Sequence, residues 1–282
     1  MGGKGWKANQ QAKETISTIE EQISRMEKVR LFARWGAWIN PASVAELATP
    51  FSWWIGTDDL DFWTQAPWAV MLGRDPIQSG VTDRSPLRIR LLTQDHLRLD
   101  FLVEETDQLV ARIEQDSLVE ILLDREDHFM AGRITSDLSH REKAPDVEDL
   151  KILPDRFFAE MTDMAFYLDQ EEWLPALMSL ARARRILLRF LRIAIARKNG
   201  FSINLGEDLR NLSAYMPQDQ YESLLRTYAT SDPRSLWDAL FQACMLFRKA
   251  ALTIDQGSSF HYPRQLDVEM MQLFRSLWKE KS

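Results

Sequence analysis

The sequence predicts an α+β protein, with an N-terminal mixed β-sheet and flanking helices followed by a C-terminal helical bundle. Short aromatic or alternating segments, which are typical of strands, are confined to the first half of the chain. From residue 156 onwards, apolar residues recur at the three- and four-residue spacing of helices. Residues 124–156 separate these regions and are dense in charge, with two prolines and little periodicity. We therefore expect an α/β domain over residues 1–150 and a helical domain over residues 151–282.

The first half begins with an amphipathic pattern over residues 9–28, where isoleucines recur at helical spacing. Short apolar or aromatic segments then predict strands at Val29–Trp35, Phe51–Ile55 and Pro67–Leu72. Residues 73–86 contain several Gly and Pro residues, which predict a loop.

The clearest strand signal is the pair Leu87–Leu92 and Leu97–Val103, joined by four mostly polar residues. In the second segment the apolar residues alternate with Arg98 and Asp100, so the two sets point to opposite faces. Such alternation predicts an antiparallel hairpin with one buried face.

The second half is expected to hold helices over residues 173–198, 218–229, 234–253 and 265–280. Gly200 should end the first of these, because glycine adopts the left-handed cap conformation without a steric penalty.

Composition narrows the class of protein. The 282 residues carry 35 Lys and Arg against 42 Asp and Glu, a net charge of −7, which disfavours a general nucleic-acid binder. The single cysteine, Cys244, excludes an intramolecular disulfide and a cysteine-rich zinc site. No apolar run reaches the roughly 18 residues of a membrane span, and no signal-peptide core is present. We expect a cytoplasmic protein without a membrane partner.

Two residue clusters leave alternatives open. Six of the ten tryptophans lie between Trp35 and Trp68. This cluster predicts either a Trp-rich core or a pocket or protein interface lined by the rings. Four arginines recur on one predicted helix face: Arg182, Arg185, Arg189 and Arg192. They could bind phosphate or RNA, form a solvated face, or pair with acidic residues of the first domain.

An ordered series of segments is similar to the aminoglycoside 6-adenylyltransferases, also called streptomycin adenylyltransferases. In the second half the series includes Gly200–Gly206, Leu224–Tyr228, Leu236–Phe241 and His261–Pro263. In the first half, Leu97–Val103 resembles the strand that carries the family's third catalytic Asp, and Val119–Asp124 resembles the segment that follows. The resemblance runs from about residue 29 to residue 278.

The resemblance implies a nucleotidyltransferase fold and transfer of AMP from Mg-ATP to a hydroxyl of streptomycin. Two metal ions held by carboxylates would stabilise the charge that develops on the phosphoryl oxygens. The family's pattern is a Gly-Ser turn, then an Asp-Tyr-Asp strand about a dozen residues later, and a third Asp on a neighbouring strand.

This sequence departs from that pattern at most catalytic positions. Alignment with the family retains only Asp100 of the three carboxylates. The other family positions hold residues that cannot perform the family's chemistry: Gly36 and Ala37 for Gly-Ser, Thr49 and Phe51 for the paired Asp, Ala165 for a Lys, Leu177 for the Asp base, and Glu207 for a Lys.

Asp59 and Asp61 form an Asp-x-Asp pair that could in principle replace the lost carboxylates, or could be the acidic start of the next helix.

The sequence therefore predicts a binding or regulatory pseudoenzyme that needs no metal or cofactor. The alternative is a diverged nucleotidyltransferase that uses Mg and ATP. The partner expected for this protein is a cationic or hydroxylated small molecule, or a protein bound through a Trp-rich surface. Nucleic acid is not expected as a partner.

Overall fold

The computed structural model describes residues 10–40, 50–65, 68, 76–84, 86–94, 96–129 and 133–279. The chain forms two compact units. The first comprises residues 1–140 together with 206–211, and the second comprises residues 141–205 and 212–282. The boundary predicted at residue 150 falls inside a short helix of the second unit, Glu148–Lys151.

The first unit is built on a six-stranded mixed sheet with the strand order β3-β4-β5-β2-β1-β6. Of the strand pairs that the structure describes, β2 and β5 are parallel and the other four are antiparallel. The strands are β1 (Val29–Trp35), β2 (Phe51–Thr57), β3 (Pro76–Arg84), β4 (Leu87–Thr93), β5 (Arg98–Glu105) and β6 (Val119–Asp124). Among the described residues, the α-helices of this unit with defined bounds are α1 (Gln10–Ser24), α2 (Leu60–Gln65) and α3 (Thr106–Gln115).

The predicted strand at Val29–Trp35 and the predicted hairpin are confirmed as β1 and as the antiparallel pair β4–β5. The loop prediction for residues 73–86 is wrong, because residues 76–84 form strand β3. The Gly and Pro residues misled the prediction: β3 is an edge strand, where proline is tolerated, and its pairing with β4 contains two register shifts. The strand predicted at Pro67–Leu72 lies largely outside the described residues, and Trp68 is helical.

Both faces of the sheet are covered. One face buries β2 and β5 residues such as Trp53 and Phe101 against residues of α1 and α2, and the two rings stack 5.0 Å apart. The other face packs Trp54 against Leu109 and Ile113 of α3. Because β2 is covered on both sides, all seven of its residues are buried.

The second unit is helical, as predicted. Its helices are α4 (Glu148–Lys151), α5 (Leu153–Asp169), α6 (Trp173–Lys198), α7 (Leu212–Tyr215), α8 (Gln218–Arg226), α9 (Pro233–Asp255) and α10 (Arg264–Lys279). The N-terminus of α9 is capped by Asp232, whose side chain accepts from the backbone N–H of Ser235, with Pro233 in the first turn. Gly200 follows α6 with φ of 60°, as expected of a glycine beyond a helix end.

The core of this unit is a cluster of aromatic rings from three helices and the loop before α10. Phe247 of α9 stacks on Phe157 of α5 at 3.9 Å and contacts Phe190 of α6 at 4.6 Å. All three side chains are fully buried.

Most of the arginine stripe on α6 is paired within this unit. Arg182 bonds Glu160 at 2.8 Å, Arg192 bonds Glu142 at 2.7 Å, and Arg189 lies 3.7 Å from Asp149. The partners are acidic, as one interpretation of the sequence expected. Glu142 and Asp149 precede the boundary predicted at residue 150, and all three partners lie in the second unit of the structure.

The predicted fold class is thus confirmed: a mixed sheet with flanking helices, followed by a helical bundle. Among the described helices, none has the length and apolar character to cross a membrane.

Candidate functional site

A cavity of about 480 Å³ opens on the sheet of the first unit, and Asp100 of β5 lies in its wall. Three cationic side chains line it with Asp100 and Glu207, so arginines outnumber carboxylates in a chain with a net charge of −7. The remaining lining is largely apolar, with one serine. The lining residues are Trp35, Pro50, Ser52, Arg88, Arg90, Leu91, Leu92, Arg98, Leu99, Asp100 and Glu207, all from the first unit.

Asp100, on strand β5, is the lining residue to which the resemblance assigned a catalytic role. Its side chain is 6% exposed and is held by Arg88 of β4. Arg88 Nε donates to Oδ1 at 3.0 Å, and Nη2 donates to Oδ2 at 2.6 Å. Arg90 Nε lies 3.7 Å from Oδ2. A guanidinium therefore engages both oxygens of this carboxylate in the fork geometry that makes such pairs strong.

On the β2 side of Asp100 the cavity is lined by Ser52 and by Pro50, which immediately precedes that strand. Ser52 of β2 is the direct parallel partner of Asp100, and both line the cavity. Phe51 points to the opposite face, where its ring packs edge-on against Trp38. The sequence assignment thus named a position, Phe51, whose side chain does not reach the cavity, and its other position, Thr49, lies outside the described residues. Neither Pro50 nor Ser52 supplies a carboxylate.

Asp59 and Asp61 lie at the far end of β2. Asp59 accepts a hydrogen bond from the backbone N–H of Phe62 at 3.0 Å and so caps α2, while its other oxygen pairs with Lys28. The hydrogen bond from Lys28, followed by that from Phe62, lowers the pKa of Asp59.

Ser52 pairs with Asp100, and Thr57, five positions later, pairs with Glu105. This separation is roughly 17 Å of strand. Asp59 and Asp61 lie beyond Thr57, so they cannot share a metal ion with Asp100, and the helix-start interpretation describes their geometry.

Trp35 is held rigidly at the cavity wall. Its indole N–H donates to Asp116 at 2.9 Å, and its ring stacks on Trp54 with centroids 5.0 Å apart. His140 Nε2 lies 2.8 Å from the same carboxylate. Burial alone would raise the pKa of Asp116, but hydrogen bonds from His140, Leu118 and Trp35 lower it to about 2. The hydrogen bond to Asp116 in turn raises the pKa of His140.

The tryptophans are divided between the two roles that the sequence left open. Trp53 and Trp63 are fully buried, and Trp54 and Trp68 nearly so, as in a Trp-rich core. Trp35 is half-buried and lines the cavity.

Glu207 reaches the cavity from a short segment of unusual backbone. Gly206, Asp208 and Leu209 all have positive φ, of 76°, 52° and 60°. Positive φ is uncommon for residues other than glycine, and such conformations concentrate at ligand-binding sites. The segment Gly206–Asn211 belongs to the first unit although the chain on both sides of it belongs to the second.

The other assigned positions do not line the cavity. Gly36 follows β1 with φ of 94°, and Ala37 begins a single turn of 3₁₀ helix. Ala165 is fully buried in α5, and Leu177 is half-buried in α6. Both helices belong to the second unit.

The cavity residues do not fit a two-metal site. Two divalent ions need several carboxylate oxygens in one cluster, but both oxygens of Asp100 are engaged by Arg88. The residues beside it on the β2 side are Pro50 and Ser52, which carry no carboxylate. Among the described residues, no group of three or more His, Cys, Asp or Glu side chains is arranged to hold a metal ion.

Sequence reasoning missed the arginines that dominate the cavity. Arg88 and Arg90 alternate with Leu87, Ile89 and Leu91 along β4, which are buried. Because β4 pairs with β5, that alternation already placed both arginines on the face of Asp100. The hairpin pattern therefore contained the signal, which was read only for β5.

Comparison with known proteins agrees with the resemblance. The family model for streptomycin adenylyltransferase matches residues 75–277. An aminoglycoside 6-adenylyltransferase of Bacillus subtilis (strain 168) is 28% identical over 178 residues, which cover 61% of this chain and 62% of that protein. The corresponding protein of Campylobacter jejuni is 24% identical over 174 residues, covering 61% and 60%. The chain therefore matches these curated relatives over somewhat less than two thirds of their length.

A solved structure, an aminoglycoside 6-adenyltransferase from Bacillus subtilis, aligns with a TM-score of 0.47 and 20% identity, covering 93% of this chain and 97% of that one. The family match is the stronger finding, because it extends from β3 to α10 and includes Asp100, the arginine pair on β4 and nearly all of the helical unit. The chain belongs to the streptomycin adenylyltransferase family.

Proposed function

We propose that this chain is a ligand-binding or regulatory member of its family that does not perform metal-dependent AMP transfer. The observation that supports the proposal is the state of Asp100. Its two oxygens are bound by Arg88, and the residues beside it on the β2 side, Pro50 and Ser52, carry no carboxylate.

Charge explains why this arrangement opposes metal binding. A divalent ion at Asp100 would have to displace the Arg88 guanidinium or lie beside it and beside Arg90, and repulsion from these two cations would oppose its binding. Arg88 is 30% exposed, so displacing it from Asp100 would cost less than the roughly 3–5 kcal/mol of breaking a fully buried ion pair, but metal binding would still have to overcome that penalty.

The test is an assay for AMP transfer from ATP to streptomycin in the presence of Mg²⁺, in which the release of pyrophosphate is measured. We expect the natural chain and an Asp100→Asn variant to give the same background rate. Transfer by the natural chain that exceeds the variant would show that a metal site forms at Asp100 and would refute the proposal.

A second candidate function is AMP transfer to a hydroxyl of an aminoglycoside or another small acceptor, with ATP and Mg²⁺. It is supported by the family match over residues 75–277 and by relatives that are all described as aminoglycoside 6-adenylyltransferases. Its signature would be pyrophosphate release that requires Mg²⁺ and an acceptor and is lost in Asp100→Asn. Running a panel of aminoglycosides and other polyols distinguishes a changed acceptor from a lost reaction.

A cationic ligand remains a prediction from the sequence, as does a protein partner. The cavity beside Asp100 favours an anionic ligand over a cationic one, because arginines outnumber carboxylates in its lining.

A further inference from the structure

Helix α6 presents apolar side chains to solvent along one face. Leu174, Met178 and Ala181 are spaced by four and three residues, so they lie one above the other on the helix. Leu174 is 75% exposed and Met178 is 60% exposed, and Ala181 is half-buried. A face with apolar residues at this spacing has the pattern by which two helices pack against each other.

A ring from the neighbouring segment widens this face. Arg184, three residues after Ala181 on α6, stacks on the ring of Tyr228 at 3.8 Å and donates to the backbone carbonyl of Thr227 at 2.6 Å. These contacts hold Tyr228 beside α6 with its side chain 57% exposed. We call Leu174, Met178, Ala181 and Tyr228 the α6 seam. Contiguous exposed apolar surface of this kind marks an interaction site.

Charges of opposite sign lie at the two ends of the α6 seam. Glu171 and Glu172, both exposed, immediately precede the start of α6. Arg185 lies on the seam face seven residues after Met178 and is also exposed. Arg182, Arg189 and Arg192 have acidic partners in the helical unit, whereas none of the ion pairs between described residues involves Arg185.

The two ends match each other when two copies of α6 pair antiparallel about Met178. Helical residues rise about 1.5 Å each, so the acidic pair and Arg185 lie at similar distances, roughly 10 Å, on opposite sides of Met178. A two-fold axis near Met178 therefore places the acidic pair of each copy opposite Arg185 of the other. Within one chain the two ends are about 20 Å apart and cannot meet. This self-complementarity identifies a second copy of the chain as the occupant.

We propose that this chain forms a homodimer through the α6 seam, with the two α6 helices antiparallel and Met178 near the two-fold axis. Burial of the apolar residues supplies the attraction, and the charged ends fix the direction and register of pairing. The inference is independent of the proposed function, because no residue of the seam lines the cavity beside Asp100.

The first experiment is analytical ultracentrifugation of the full chain from about 1 to about 200 μM, the range of a modest interface. We expect the mass to rise with concentration from that of a monomer to that of a dimer. Met178→Asp brings two carboxylates together near the axis and should weaken dimerisation at least about tenfold. Met245→Asp is the matched control, because Met245 is 48% exposed on a different helix, α9, and the same substitution there should change nothing.

Two results of this experiment would refute the proposal. A monomer at every concentration would show that the α6 seam does not bind a second copy. Equal dimerisation of the Met178→Asp and Met245→Asp variants would show that the association uses another surface or none in particular. Circular dichroism of both variants checks that each is folded.

Charge reversal tests the antiparallel register. One variant carries Glu171→Lys and Glu172→Lys, and the other carries Arg185→Glu. Each alone places like charges opposite each other in its own dimer, so each should dimerise several-fold more weakly than the natural chain at low ionic strength. An equimolar mixture restores opposite charges at both ends and should form a mixed dimer. Failure of the mixture to associate more strongly than either variant alone would refute the antiparallel pairing.

Discussion

Arg88 and Asp100 form a two-pronged ion pair although they are not cross-strand partners. In the β4–β5 register Asp100 lies opposite Arg90, whereas Arg88 lies opposite Leu102. Diagonal neighbours in an antiparallel pair are within reach of a long side chain such as arginine. The diagonal pair makes the close contacts of 2.6–3.0 Å, and the direct partner stays 3.7 Å away.

This diagonal pair should contribute to stability as a unit. Arg88→Gln leaves a buried carboxylate without its main partner and should lower the free energy of unfolding by about 1–3 kcal/mol, less than a fully buried pair because Arg88 is 30% exposed. Adding Asp100→Asn should recover much of that loss. Urea unfolding of the two single variants and the double variant measures the coupling, and strictly additive effects would show that the pair is not coupled.

Glu20 should be the residue that fixes α1 to the sheet. It accepts hydrogen bonds from Arg34 of β1 at 2.6 and 2.7 Å and from the indole N–H of buried Trp53 at 2.9 Å. Glu20→Ala leaves both donors without this acceptor and should cost about 2–4 kcal/mol. Trp53→Phe removes one bond and some ring volume and should cost less. Chemical denaturation gives the free energy of unfolding of both variants. A smaller loss of stability for Glu20→Ala than for Trp53→Phe would contradict this role of Glu20.

His140 should make stability depend on pH. Its folded pKa is raised above about 6.5, chiefly by Asp116, with smaller contributions from Asp137 and Glu207. Its contribution is therefore complete below about pH 6.5 and is lost as the pH rises through the folded pKa. The Asp116 contribution is present above about pH 4 and is lost as the pH falls towards 2.

We accordingly expect the natural chain to exceed His140→Gln in stability by about 1 kcal/mol near pH 5.5 and by less near pH 8. Thermal unfolding at the two pH values gives the comparison. A difference that grows with pH would contradict the assigned direction.

Gly56 should tolerate no side chain. A Cβ atom there would lie 3.0 Å from Leu31 Cβ, 3.3 Å from Leu109 Cδ2 and 3.4 Å from the backbone of Thr106. Gly56→Ala should therefore force β2 and α3 apart and destabilise the fold by about 1–3 kcal/mol. Gly200→Ala is a useful control, because its Cβ meets nothing within 4 Å and only its positive φ is penalised. A smaller loss at Gly56 than at Gly200 would contradict the close packing.

Cys244 should be unreactive in the folded protein. It is fully buried in α9, and burial raises its pKa, so the thiolate is scarce at neutral pH. Ellman's reagent should leave it unmodified in buffer and react with one thiol in guanidinium chloride. Rapid labelling in buffer would indicate opening of the helical unit.

Much of the fold was predictable because its patterns are local. The 26-residue helix α6 was predicted with its bounds, Trp173–Lys198, since its apolar spacing and the following Gly200 are strong signals. The edge strand β3 was not predicted, because Gly80 and Pro76 resemble loop punctuation unless their place at the sheet edge is known. Helix α3 was also not predicted, although its Leu109 and Ile113 have helical spacing.

The site was predictable only in part, because it depends on pairing between strands. Asp100 was identified by resemblance, and its face by alternation. Phe51 was assigned by alignment with the family, whereas the structure presents Ser52 beside Asp100, in a parallel register that the sequence does not encode locally. Partners of Asp100 lie on β4, and their identity follows only once β4 and β5 are paired.

The segment Gly206–Asn211 imposes an order on biosynthesis. It belongs to the first unit but is encoded after residues 141–205, which belong to the second. A ribosome that has completed His140 must add roughly seventy more residues before Asn211 exists, which takes about 4–14 s at ordinary rates of translation. The nascent sheet must wait through that interval without Glu207 at its cavity. A gene fragment that stops at His140 would leave the same gap permanently.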